Sequence, residues 1–191
     1  MKVGQKTLAL GFLGAAILCA LPGGGGGGLT DAAGGPAVTV LAGTDNQNLN
    51  TIGLTLYKDY GYSAVAAAGI ASCVAGESDG DPESEAPNTV YPDGNPADGA
   101  GLIGWTPMST MTAQGGTIGT TETADLSSQI RAITVYNQSP WGALIPQLNA
   151  ETGPVAAARF YSENFERPKY RDSDVVPSVA QAVYAYITTH S

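Results

Sequence analysis

The sequence predicts a mainly α domain, and three observations carry that prediction. Apolar residues recur at helical spacing in one run after another, as in Leu49, Ile52 and Leu56. No run alternates apolar and polar residues as a half-buried strand would. Ser, Gly and Pro stand where helices begin and end. With 191 residues and 43% hydrophobic content, the chain has material for one well-formed core and too little for two ordinary domains.

In chain order, residues 1–22 read as an export signal or membrane anchor. Lys2 and Lys6 precede an uncharged, mostly apolar stretch from Thr7 to Gly23. The uncharged run continues to Leu29 and so approaches the ~20 residues that a spanning helix needs, which leaves cleavage and retention both open. Leu18 is bulky where a lipoprotein signal has a small residue, so Cys19 does not look lipidated. Residues 23–47, dominated by Gly, Ala, Thr and Asp, read as a flexible tether. The folded domain is expected over residues 48–191.

The first helix, "NLNTIGLTLYKDYG", ends with Gly61 as its C-cap. Ser63 then caps "AVAAAGIASCVAGE", which Gly80 and Pro82 stop. Cys73 falls inside this small-residue run and is expected as a buried, inert thiol. With residues 1–22 set aside it is the single cysteine, so the domain must hold together by its core. Residues 79–100 hold most of the domain's Asp, Gly and Pro and form a long acidic surface loop after the second helix. "GLIGWTP" is a short extended or turn segment. A helix at about Ala124 to Asn137 carries the stripe Leu126, Ile130 and Ile133, and another starts at Ser139 with Pro140 in its first turn and Trp141, Leu144, Ile145 and Leu148 as core. "TGPVAAARFYSENF" and "SDVVPSVAQAVYAYITTH" complete a set of about six helices, the last with Val176, Val179, Val183 and Ile187 in register.

Composition excludes several functions. The formal charge is -9 and only eight Lys and Arg are present, which argues against nucleic acid as a partner. The one histidine, His190, stands beside the C-terminus, a poor place for a Ser-His-Asp triad, a Cys-His pair or a zinc site. Neither a cofactor nor a metal is expected.

The chemistry-bearing candidate is Glu77, where the apolar run gives way to Ser, Asp, Gly and Pro. A carboxylate at a helix C-terminus opposes the macrodipole by about 0.3–1 kcal/mol, so its placement is mildly costly. One reading is an acid whose protonation is tuned by its surroundings; the other is a solvated residue at a helix end.

The order "GES", polar loop, "GLIGW" resembles the phage-tail-type lysozyme domain. This family belongs to the lysozyme-like superfamily, with goose-type lysozymes and lytic transglycosylases. Glu77, Ser78 and Pro82 match its Glu-Ser pair and following proline. Gly101, Leu102 and Trp105 match its glycine-led tryptophan segment. Gln129 matches a glutamine-containing helix, and Phe165, Glu166, Arg167 and Pro168 match a closing aromatic-"ERP". The match spans about residues 50 to 190. It departs from the family at Gly104, where Gln is common, and in "WTPMSTMTAQ", which lacks an arginine.

The resemblance implies a lysozyme-like helical fold and a peptidoglycan glycosidase that cleaves between N-acetylmuramic acid and N-acetylglucosamine. Glu77 would be the catalytic acid, since glycosidic cleavage needs a protonated carboxyl beside the leaving oxygen. Packing against Trp105 or Val74 would raise its pKa by desolvation. Ser78, Gly101, Trp105 and Gln129 are the expected substrate-side residues. For a water-activating base, ~6.5–9.5 Å from the acid, Asp79, Asp81, Glu83, Glu85, Asp93 and Asp98 are the loop candidates. Asp98 is favoured because it precedes the segment returning to the cleft. Without such a base the substrate's own acetamido or hydroxyl group can assist, as in a lytic transglycosylase. The expected partner is the peptidoglycan glycan strand, with the membrane involved only through the N-terminal segment. A non-catalytic wall-binding or virion structural module is the rival from another class.

Overall fold

Helix order follows the caps and apolar stripes closely. The computed structural model describes residues 44–84, 99–138, 144–166 and 174–191. The expected signal and nearly all of the tether lie outside these residues, as do Glu85, Asp93, Asp98, Ser139, Pro140, Trp141, Arg167 and Pro168. The helices are α1 Thr44–Asp59, α2 Ala64–Ser78, α3 Met108–Ala113, α4 Glu122–Gln138, α5 Leu144–Asn149, α6 Pro154–Tyr161 and α7 Pro177–His190, with a π-helical turn, Ser162–Glu166, after α6. The described residues contain no strand; a lone bridge pairs Ala100 with Trp105. The fold is mainly α.

Helix α2 is the axis of the domain. Every residue from Ala66 to Ala75 is buried, so α2 is covered on all sides, by α1, α5, α6 and α7. Its side chains are mostly small, which lets neighbouring backbones come close. At Gly69 a β-carbon would lie 2.7 Å from the Ala158 nitrogen of α6. Cys73 is buried and its thiol donates to the Ala158 carbonyl at 3.4 Å. Around this axis lie Leu49, Ile52 and Leu56 of α1, Ile130 and Ile133 of α4, Leu148 of α5 and Val183 and Ile187 of α7, all buried. Each such side chain contributes about 1.5–3 kcal/mol through burial.

The caps show why the helices begin where they do. Ser63 accepts from the Ala66 N–H at 3.1 Å and starts α2. Asn149, at the end of α5, grips the α1–α2 turn from outside: its Oδ1 accepts from Ser63 N–H at 2.7 Å and its Nδ2 donates to Gly61 O at 3.0 Å. Helix α4 starts at Glu122 because Thr121 Oγ1 accepts from Ala124 N–H.

Three details differ from the sequence reading. Helix α3 is an addition to the expected six; Met111 is its one buried residue, so no apolar stripe announces it. The expected helix over "TGPVAAARFYSENF" divides into α6 and the π-helical turn, where Phe165 stacks on Tyr161 at 4.5 Å. Helix α1 begins at Thr44, so residues 44–47, expected as the end of the flexible tether, are helical.

Candidate active site

Glu77 stands in the last turn of α2, and the neighbouring residues fasten a second chain segment across it. Ser78 Oγ reaches the Leu102 carbonyl at 3.0 Å and the Val74 carbonyl at 3.2 Å, and accepts from Gly80 N–H at 3.3 Å. The turn from Ala100 to Trp105 is closed by Trp105 N–H to Ala100 O at 2.9 Å. Its base is held by Gly101 N–H, which donates to Ser84 O at 2.7 Å.

Gln129 of α4 is the hub beneath this turn. Its Oε1 accepts from Leu102 N–H at 2.8 Å, and its Nε2 donates to Pro82 O at 2.7 Å and Thr117 O at 2.8 Å. One buried amide therefore joins three separate loops to α4. Gly101, at φ 71°, lies against that amide: a β-carbon there would be 2.9 Å from the Gln129 Cδ.

The turn brings Gly104 to the acid. Gly104 has φ 57°, and a β-carbon on it would lie 2.7 Å from Glu77 Oε2. Any side chain here meets both backbone strain and the carboxylate.

In front of Glu77 opens a cleft of about 260 Å³, walled by Ile103, Gly104, Trp105 and Thr106 on one side, Thr110 of α3, Tyr136 of α4 and Phe165 of the π-helical turn. Trp105 meets Tyr136 edge to face at 5.5 Å and Phe165 at 6.1 Å, and Tyr136 meets Phe165 at 5.1 Å. Trp105 is buried and its indole N–H has no acceptor among the described residues. Glu77 is exposed to the cleft as a residue, while its carboxyl is partly enclosed. That enclosure, and secondarily the charge of Asp174, raise its pKa above the ordinary carboxylate value.

Of the expected substrate-side residues, Trp105 lines the cleft. Ser78, Gly101 and Gln129 do not line it; they build the support behind it, and Gln129 in particular has its amide engaged with backbone groups. All three hold the turn from behind the cleft. Of the loop acids, Asp79, Asp81 and Glu83 are described and none lines the cleft, while Asp98 lies outside the described residues. Sequence reasoning missed Tyr136, although an aromatic three residues beyond Ile133 continues the α4 stripe to the cleft edge. It also missed Thr110, which no pattern marks.

The family model for the phage tail lysozyme matches residues 48–187. The chain belongs to the phage tail lysozyme family. No curated protein matches it. The matched residues of this phage tail lysozyme domain run from α1 to the last turn of α7 and include the whole cleft described above. Family membership supports a lysozyme-like, peptidoglycan-degrading function in general, with peptidoglycan as the substrate.

Proposed function

We propose that this lysozyme domain cuts the glycan bond between N-acetylmuramic acid and N-acetylglucosamine with Glu77 as general acid. The observation that carries this reading is a carboxyl, partly enclosed, lining an aromatic-walled cleft; the enclosure pushes its pKa up, as a proton donor needs. Trp105, Tyr136 and Phe165 offer apolar surface against which the C–H faces of a pyranose pack. Glu77 gives its proton to the glycosidic oxygen as the C1–O bond breaks, so the leaving sugar departs as an alcohol. Water then bonds to C1 and returns a proton to Glu77, leaving a reducing end and the acid restored.

Glu77→Gln keeps volume and polarity but has no proton to donate. Wall lysis by the full chain should be lost with the fold retained; lysis at the native rate rejects the assignment. A native chain that binds walls without lysing them would favour the non-catalytic module instead.

A second reading is favoured by one observation: among the described residues lining the cleft, Glu77 is the sole carboxylate. Without a base for water, the substrate's own hydroxyl closes an anhydro ring on C1. Mass spectrometry of the released muropeptides separates the two, since the anhydro product is lighter by one water. Predominantly anhydro ends would establish a lytic transglycosylase with Glu77 unchanged in role.

Export belongs to the same proposal. Lys2 and Lys6 ahead of the uncharged Thr7 to Gly23 stretch support a signal or anchor, and local opening of the wall for a phage particle or conjugative element is the context that fits. Fractionation of an expressing bacterium tests it, and full-length chain soluble in the cytoplasm rejects it.

A further inference from the structure

Two hydroxyls in the cleft have no structural task. Thr110 of α3 and Tyr136 of α4 both line it, each half-buried. Among the described residues neither hydroxyl has a hydrogen-bond partner, and neither is sealed from solvent. A helical Thr commonly turns its hydroxyl back on its own helix. Thr112, two residues on in α3, does so to Ser109 O at 3.2 Å, and Thr134, two residues before Tyr136, does so to Ile130 O at 3.3 Å. Thr106, on the facing wall, is engaged as well, donating to Gly104 O at 3.1 Å. The bare indole N–H of Trp105 is buried and out of a ligand's reach. The free hydrogen-bonding side chains on this wall are therefore Thr110 and Tyr136, set beside the rings of Trp105 and Phe165. Small-molecule sites have this composition: apolar surface with a few placed polar groups.

We propose that the Thr110 and Tyr136 hydroxyls read the 2-acetamido group of the sugar bound beside Glu77, and so make the cleft selective for N-acetylated glycan. The proposal deepens the reading above and rests on this cleft being where the glycan binds. An acetamido group is flat and uncharged, with one carbonyl acceptor, one N–H donor and one methyl. A hydroxyl both donates and accepts, so the pair can serve the carbonyl and the N–H while the methyl packs on the aromatic rings. A plain ring hydroxyl has no apolar end and leaves the rings without a contact. The amine that remains after deacetylation has neither carbonyl nor methyl, and as an ammonium it must shed water to enter a half-enclosed cleft. The wall offered by the two residues is neutral, since Glu77 is the one charged group among the described residues that line the cleft. A neutral ligand group fits it.

The test is co-sedimentation of the full chain with two insoluble probes, purified cell walls and the same walls after chemical N-deacetylation. Glu77→Gln serves as the background, so that the walls are not consumed. This protein should bind the N-acetylated walls the more tightly. Thr110→Val and Tyr136→Phe, each added to it, keep the side-chain shape and remove one hydroxyl. Each should weaken binding to the acetylated wall several-fold, as the loss of one hydrogen bond implies, and leave binding to the deacetylated wall unchanged. Thr110→Ser keeps a hydroxyl and should bind as the background does. Equal weakening on both walls, no weakening on either, or no preference for the acetylated wall at the outset overturns the proposal. If one of the two variants fails to fold, the other decides. Lysis by Glu77→Gln at the native rate would instead overturn the acid assignment; the same comparison is then made on initial lysis rates with the two walls.

Discussion

Gly104 and Glu77 are in contact across the two sides of the cleft: no β-carbon fits at 104 without coming within 2.7 Å of Glu77 Oε2. The glycine lets the turn close over the acid, and its φ of 57° is one that residues with side chains adopt at a cost of about 1–2 kcal/mol.

Gly104→Ala is therefore expected to displace the carboxylate more than it unsettles the fold. Misplacement of a reacting group by about 1 Å costs on the order of 10²-fold in rate. Lysis should fall by about that factor. A thermal melt should show a loss of roughly 1–2 kcal/mol; an unaffected lysis rate would show that Glu77 tolerates displacement and weaken its assignment.

Glu77→Gln should make the protein inactive and also more stable at neutral pH. The folded-state pKa of Glu77 is raised, so its contribution to stability is full below the ordinary carboxylate range and is lost as pH rises through the folded value. The variant has no such loss. Melting temperatures of the two proteins should diverge at neutral pH in favour of the variant and draw together in acid; a lower melting temperature for the variant at neutral pH contradicts the sign.

Gln129→Leu should impair both stability and lysis although residue 129 does not line the cleft. It strips partners from Leu102 N–H, Pro82 O and Thr117 O at once. With about 1–3 kcal/mol for each unsatisfied buried group, less where water reaches it, a total of about 3 kcal/mol is expected from denaturant unfolding. A loss under about 1 kcal/mol would mean that the three loops are held by other contacts.

Asp125→Asn addresses acid stability. Burial works against the Asp125 carboxylate, but hydrogen bonds from the Thr117 and Thr120 hydroxyls, and from the Thr120 and Gly119 backbone, outweigh it and hold the pKa below the ordinary value. A depressed folded pKa gives stability that is present above the unfolded value and lost as pH falls through the folded one. The native protein should thus be the more stable at neutral pH and lose that lead in acid. Equal stability across the whole range would remove Asp125 from the acid response.

Much of the fold is legible because its signals are local. Ser63 as cap, Gly61 past the end of α1 and the Leu126, Ile130 and Ile133 stripe each require only a few adjacent residues to read. Helix α3 and the π-helical turn escape because their causes are tertiary: one buried Met111, and a Tyr161 to Phe165 stack. The site divides in the same way. Glu77 is visible as a costly charge at a helix end, and Trp105 as a tryptophan in a turn. Gln129 is visible as a residue, but its role follows from three backbone partners drawn from distant loops.

The burial of α2 on every side sets the order in which parts of the site can open. Amides between Ala66 and Ala75 are sealed among other helices and should exchange with solvent only when the whole domain unfolds. The turn from Ala100 to Trp105 is irregular backbone held by a two-bond bridge, by Ser78, Gln129 and the Ser84 carbonyl, and by the packing of Trp105, and should open in smaller, more frequent fluctuations than α2. Hydrogen exchange would then show a slow acid mount facing a fast wall. A glycan strand would then slip past the moving wall while the Glu77 carboxyl keeps its place.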